Sequence, residues 1–241
     1  MMITDAKAAG VGQFICVGTD VESSRQALEF CKERLDCFAS VALHPHEAEK
    51  LTADELAVAV KELETMAENN RSKLVAVGEC GLDYFYHNDP TTHQKQDFLL
   101  RKHLELAQKL DLPVIFHVRD AFSEFFKILD EYPGTRGVVH SFTATPEILK
   151  EVIDRGLYVG LNGIMSFTRD ELQLRAAKEA PLDKIVVETD APFLTPTPFR
   201  GTMCQPKHVV VTAEFLSDLR QETFEKFASQ TTRNAQQLFG L

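Results

Sequence analysis

The chain has no CxxC pair. Its five cysteines, Cys16, Cys31, Cys37, Cys80 and Cys204, are odd in number and scattered, so neither a disulfide framework nor a structural zinc site is indicated. They suit a reducing, cytoplasmic setting. No signal peptide and no apolar run of membrane length is visible, so no membrane association is expected. Basic charge is also in short supply: 26 Lys and Arg stand against 36 Asp and Glu, a net charge of −10. That argues against broad electrostatic capture of nucleic acid, although a local basic cleft, or a metal supplying positive charge where phosphate binds, stays compatible with it. Gly-rich nucleotide loops of the GxGxxG or GxxxxGK kind are missing. Low-complexity runs and linkers are missing as well. What is present is 241 residues, 44% of them hydrophobic, enough for a sizeable core in one (β/α) barrel or two modest domains.

The stretch Lys73–Tyr86, KLVAVGECGLDYFY, organises the rest. Leu74–Val77 reads as a short apolar strand of the kind a parallel sheet buries on both faces. It runs into Gly78-Glu79-Cys80-Gly81, where a carboxylate sits between glycines, followed by a turn at Gly81-Leu82-Asp83. A covered glutamate there needs a cation or hydrogen bonds to offset its desolvation. Around this stretch, apolar strands alternate with helical patterns. Strands are expected at Phe14–Val17, Cys37–Leu43, Leu74–Val77, Pro113–Phe116, Gly137–Val139, Leu157–Leu161 and Lys184–Val187. Helices are expected near Val21–Leu35, Ala53–Asn69, Thr92–Leu110, Ala121–Glu131, Pro146–Arg155 and Arg169–Ala180, with two more at His208–Leu219 and Glu222–Phe239. The opening residues, before Gly10, read as the tail of a helix. Seven βα units with polar residues after the strands predict an α/β fold, a TIM-like (β/α) barrel forming one domain over residues 1–241, with its site on the C-terminal face. The alternative is a doubly wound open sheet. A barrel wants eight strands, and the missing first one would precede Met1.

Four of the expected strands end on a metal-ligating residue: Glu79, His117, His140 and Asp190. Histidine nitrogen and carboxylate oxygen suit magnesium, manganese, zinc or a similar divalent ion. Each residue alone has a plainer reading. A histidine ending a strand can be a hydrogen-bonded structural residue, Glu79 can pair with Arg119, and Asp190 can be a turn residue. Four in equivalent places favour a metal site. His44 and His46 flank Pro45 at a strand end and are candidates for substrate contact, as are Asp83 and His87. Arg119, two residues beyond His117, can place a guanidinium on a phosphate or pair with Asp120 or Glu79. His93 and His103, on a predicted helix, read as surface, and His208 as structural. Ser141 and Cys80 are possible nucleophiles without a clear base to activate them.

The segments VALHPHE, VGECGLDYFY, LPVIFHVRDA, VVHSFTAT, YVGLNG, IVVETDAPFL and TTRNAQQLFGL, in this order over nearly the whole chain, resemble the TatD-related family of metal-dependent deoxyribonucleases in the amidohydrolase-like barrel superfamily. The resemblance implies a barrel, divalent metals and hydrolysis of phosphodiesters, with DNA ends as substrate and no obligate protein partner. By motif match it makes Glu79, His117, His140 and Asp190 metal ligands. Asp190 and Glu79 are then the catalytic carboxylates, with Asp190 helping to activate the attacking water.

Two departures from the family pattern stand out. The family's first strand carries a His-x-His pair, and no such motif precedes Phe14. The segment after the last strand reads Arg200-Gly201-Thr202-Met203-Cys204-Gln205-Pro206, with Cys204 where the family has asparagine. The expectation is an incomplete copy of the fold, short of roughly 20 residues at ordinary element lengths, aggregation-prone and weakly active. Two functions compete with the nuclease: an amide or ester hydrolase using the same metal-activated water, and a non-catalytic remnant that binds nucleic acid or protein.

Overall fold

The computed structural model describes residues 2–86 and 89–241, in two compact units. Gln13–Gly137 forms one unit. It holds strands β1 (Phe14–Val17), β2 (Cys37–Val41), β3 (Leu74–Asp83) and β4 (Val114–Arg119), and helices α2 (Val21–Cys31), α3 (Glu47–Lys50), α4 (Ala53–Asn69), α5 (Pro90–Leu110) and α6 (Phe122–Asp130). Met1–Gly12 and Val138–Leu241 form the other. It holds α1 (Met2–Ala8), β5 (Gly137–Val139, beginning one residue earlier), α7 (Pro146–Asp154), β6 (Tyr158–Leu161), α8 (Glu171–Glu179), β7 (Ile185–Val187), α9 (Val209–Arg220) and α10 (Phe224–Phe239).

The helices start where the sequence supplies caps. Asp20 accepts the Ser23 amide at the head of α2, Thr52 and Glu55 form a capping box on α4, and Asp89 precedes Pro90 on α5, each satisfying amides that the first turn leaves unpaired. Between the helices the strands pair in parallel, β1 with β2, β2 with β3, β3 with β4 in the first unit and β5 with β6, β6 with β7 in the second. Within each unit the strands lie in chain order. That order has no reversal of the kind that creates the switch point of a doubly wound sheet. The core of the first unit is apolar on both sides of the strands: Leu56 and Leu63 from α4, Leu99, Leu100 and Leu104 from α5, and Phe116 with Phe125 are essentially inaccessible. Each such side chain contributes about 2 kcal/mol of burial.

β3 corrects the sequence reading. It does not stop at Val77 but continues to Asp83, and β4 continues to Arg119, with Gly81 opposite His117 and Asp83 opposite Arg119. The pairing register slips between Gly78 and Cys80, so Glu79 is the extra residue of a bulge, a device that re-aims one side chain. The glycines are there because the two strands touch. Gly81 has φ +152°, and a Cβ on it would collide with the His117 carbonyl oxygen. Gly81-Leu82-Asp83 is therefore not a turn, and Asp83 lies fully buried at the strand's end.

Candidate metal centre

In the first unit the bulge and the ends of β3 and β4, with the segment after β2, gather five side chains. Glu79 Oε1 lies 2.9 Å from His117 Nδ1 and 3.5 Å from His44 Nε2. His44, Glu79 and His117 each offer one ligand atom, all within 4.8 Å of one another. On its far side His117 Nε2 meets Asp83 Oδ2 at 2.8 Å, and His46 Nε2 reaches the same oxygen at 3.1 Å. The imidazole of His117 therefore faces a carboxylate at both nitrogens. A neutral ring carries one N–H, so the pair of carboxylates calls for a second positive partner, either a proton or a metal ion on the Glu79 side. Burial alone would lower the basicity of His117; hydrogen bonds and charge from Asp83 and Glu79 outweigh it and raise its pKa. His44 goes the other way, held down mainly by burial, which keeps a lone pair available for coordination. Burial would raise the Asp83 pKa, but His117, His46 and the Phe85 amide hold its carboxyl well below the usual range. The donor set, one carboxylate and two imidazoles backed by a buried aspartate, fits a divalent ion of the zinc or manganese type.

The second unit repeats the pattern. His140 Nδ1 lies 2.8 Å from Glu188 Oε1 and its Nε2 3.2 Å from Asp190 Oδ1. The Ser141 amide donates to Glu188 Oε1 at 2.6 Å, and Asn162 donates to the Ser141 hydroxyl at 2.9 Å. Glu188 lies across β6 at Gly160, where a Cβ would strike its carboxylate.

Of the expected ligands, Glu79 and His117 are thus brought together in one unit, and His140 and Asp190 in the other. Three residues carry more than the sequence suggested. His44 lies where it could be a ligand donor beside Glu79 and His117. Asp83 orients His117, and Glu188 orients His140. Glu188 was visible in principle, because Glu188 and Asp190 are two apart and so point to one face of an extended segment. Arg119 places its guanidinium 3.6 Å from the centroid of the Phe85 ring and 5.1 Å from that of Tyr86; among the described residues it forms no ion pair with Asp120 or Glu79. Cys80 is inaccessible, and burial pushes its thiol up, which removes it as a nucleophile. Ser141 has φ +49° and a hydroxyl held by Asn162. His87 lies outside the described residues.

His103 is a second correction. It is not on the surface but buried in α5, where its Nε2 accepts the Leu43 amide at 2.9 Å and its Nδ1 donates to the Leu99 carbonyl at 2.6 Å. Burial pushes its pKa down to about 4. It thereby fixes the backbone next to His44. His93 is half-buried and stacks on Tyr84, the ring centroids 3.6 Å apart. His208 is buried, stacked on Phe199 and bonded to the Gln205 amide, a structural role as expected.

A sequence model of the TatD related DNase family matches residues 1–240. The chain belongs to that family. It is 37% identical over 240 residues to the uncharacterized metal-dependent hydrolase YabD of Bacillus subtilis, covering 99% of this chain and 91% of that one. It is 33% identical over 249 residues to the 3'-5' ssDNA/RNA exonuclease TatD of Citrobacter koseri, covering 100% and 92%. Among solved structures, YJJV, a TatD homolog from Escherichia coli K12, superposes with a TM-score of 0.91 at 29% identity, over 100% of this chain and 91% of that one. The fold class is accordingly the α/β, TIM-like barrel class expected from the alternation of elements. The chain is a TatD-family metal-dependent hydrolase. No helix among the described residues is long and apolar enough to cross a membrane.

Proposed function

We propose that this TatD-family hydrolase cleaves phosphodiester bonds of single-stranded DNA from the 3' end, the activity named for its Citrobacter koseri relative. Residues 1–241 serve as one hydrolase domain. The observation that carries the reading is the group His44, Glu79 and His117, three ligand atoms within 4.8 Å of one another, with His117 flanked by carboxylates on both nitrogens. His44, Glu79 and His117 would hold a divalent ion in the first unit, and His140 and Asp190 are assigned as ligands in the second. A divalent ion with such donors supplies Lewis acidity toward a phosphoryl oxygen and makes water nucleophilic near neutral pH.

The chain's own groups do the rest. Asp190, a third exposed and 3.2 Å from His140 Nε2, accepts the proton of the attacking water, while His140 keeps the carboxylate in place. Arg119 presents a planar fork of N–H donors to a phosphate. His46, anchored on Asp83 and about a third exposed, contacts the nucleotide beside it. DNA is thus bound through local cations, in spite of the net charge of −10, and binding is expected to depend only weakly on salt because few phosphates are contacted.

The test uses purified protein with single-stranded DNA, RNA, and small amide and ester substrates, with manganese, magnesium or zinc added singly. Release of nucleotides that stops with EDTA and returns with metal is the expected result. Hydrolysis unchanged after exhaustive chelation, with no metal found by elemental analysis, would remove the mechanism. Turnover of esters or amides alone would replace nucleic acid as the substrate. Protein that takes up none of the added metals and stays inactive on every substrate in their presence would leave a non-catalytic remnant.

A further inference from the structure

Phe85 and Tyr86 are large aromatic residues left in solvent, 52% and 61% exposed. Single exposed apolar residues are ordinary on protein surfaces; these two are adjacent, and both are tied to the metal centre. The Phe85 amide donates to Asp83 Oδ1 at 3.0 Å, and the other oxygen of Asp83 holds His117 and His46. The Tyr86 ring stands edge-on to His46, with centroids 5.7 Å apart, and nearly perpendicular to Phe85 at 4.8 Å. Arg119 follows His117 by two residues on β4, so the two share a face of the strand. Its guanidinium is stacked on Phe85 at 3.6 Å.

Stacking occupies the flat face of a guanidinium and leaves its in-plane N–H donors available for a phosphate. An aromatic ring with half its surface in water offers the flat partner that a nucleobase seeks, worth about tenfold or more in binding for each base. Charge and aromatic surface thus lie side by side within one hydrogen bond of the residue that orients His117. We infer that Phe85, with Tyr86 as its wall and Arg119 as its phosphate fork, is a base-stacking site for an unpaired nucleotide next to the metal centre. The inference rests on the nuclease reading and adds the feature of substrate that is read: a base whose face is free. Bases in a duplex are already stacked and must first be pulled out, so the site selects single strands.

The experiment uses the full chain in EDTA, so that no cleavage occurs, with oligodeoxynucleotides carrying the fluorescent base 2-aminopurine at the 3' end or at the 5' end, and matched oligonucleotides in which that residue is abasic. Wild-type protein should quench the 2-aminopurine at one end and bind the base-bearing strand about tenfold tighter than the abasic one. Phe85→Ala should abolish both the quenching and the preference, and Phe85→Trp should keep them. The same base-to-abasic ratio is then read in kcat/KM with manganese. A Phe85→Ala protein that retains the wild-type ratio and quenching overturns the stacking site and leaves the nuclease reading standing. Wild-type protein that neither binds nor cleaves any of the strands overturns the nuclease reading, and the stacking site with it.

Discussion

His103 gives a prediction whose size follows from its surroundings. Its imidazole is 2% exposed, with a lone pair on Nε2 engaged by the Leu43 amide and the Nδ1 proton engaged by the Leu99 carbonyl. Protonation would put a second hydrogen where the Leu43 amide already points. The folded pKa of about 4 lies below the ordinary 6.5. In that interval the unfolded chain binds the extra proton, so stability is fully present above pH 6.5 and is lost as the pH falls toward 4. A shift of this size corresponds to about 3 kcal/mol over the whole range, and to about 2 kcal/mol between pH 7.5 and pH 5. The perturbation is His103→Gln, whose amide can accept from Leu43 and donate to Leu99 but does not titrate. Urea unfolding of both proteins in EDTA at pH 7.5, 6 and 5 isolates the residue, because every other titrating group cancels in the difference. The wild type should lose about 2 kcal/mol more than the variant between the two ends. Parallel pH profiles would refute the assignment of a neutral buried imidazole.

Three further outcomes are expected. His117→Ala and His140→Ala should each lower bound metal and cut turnover at least about 100-fold, while His93→Ala, which loses a stacking contact with Tyr84, should change neither; elemental analysis and steady-state kinetics decide, and equal loss in all three would mean that strand-end position does not mark the ligands. Arg119→Ala should weaken substrate binding by about tenfold or more with metal content retained, and Arg119→Lys should restore part of it, since lysine keeps the charge without the planar fork; normal KM in Arg119→Ala would return the residue to a structural role. Gly81→Ala should destabilise the fold by roughly 3 kcal/mol or more, because strain at φ +152° is added to a clash with backbone; a thermal midpoint within about 2 °C of wild type would contradict the close approach of β3 and β4.

The elements legible from sequence were those whose signals are local. α2, α4 and α5 begin within two residues of the expected positions, each behind a capping residue, Asp20, Thr52 and Asp89, and the apolar stretches became strands. The errors share a cause: each depended on a partner distant in sequence. Gly81-Leu82-Asp83 looks like a turn until β4 supplies the backbone that the missing Cβ of Gly81 makes room for. The same pattern puts Asp83 on a turn, whereas it is the buried anchor of two histidines. His103 looks polar and therefore outward, and what buries it is the Leu43 amide, 60 residues away in sequence, bonded to its Nε2. Glu188 lies in the matched segment beside Asp190, but the resemblance assigns a ligand role to Asp190 alone, and the place of Glu188 appears only in its contact with His140.

The carboxylate of Asp83 is nearly saturated. One oxygen takes His117 and His46, the other the Phe85 amide, three of about four acceptor positions a carboxylate has. Little remains for an incoming cation, so choice among ions falls to Glu79 and the histidines, and Asp83 works as a rivet. A rivet also transmits. A base stacked on Phe85 would sit one main-chain amide away from the carboxylate that holds the His117 ring, so the proposed stacking site and the metal centre share a single anchor.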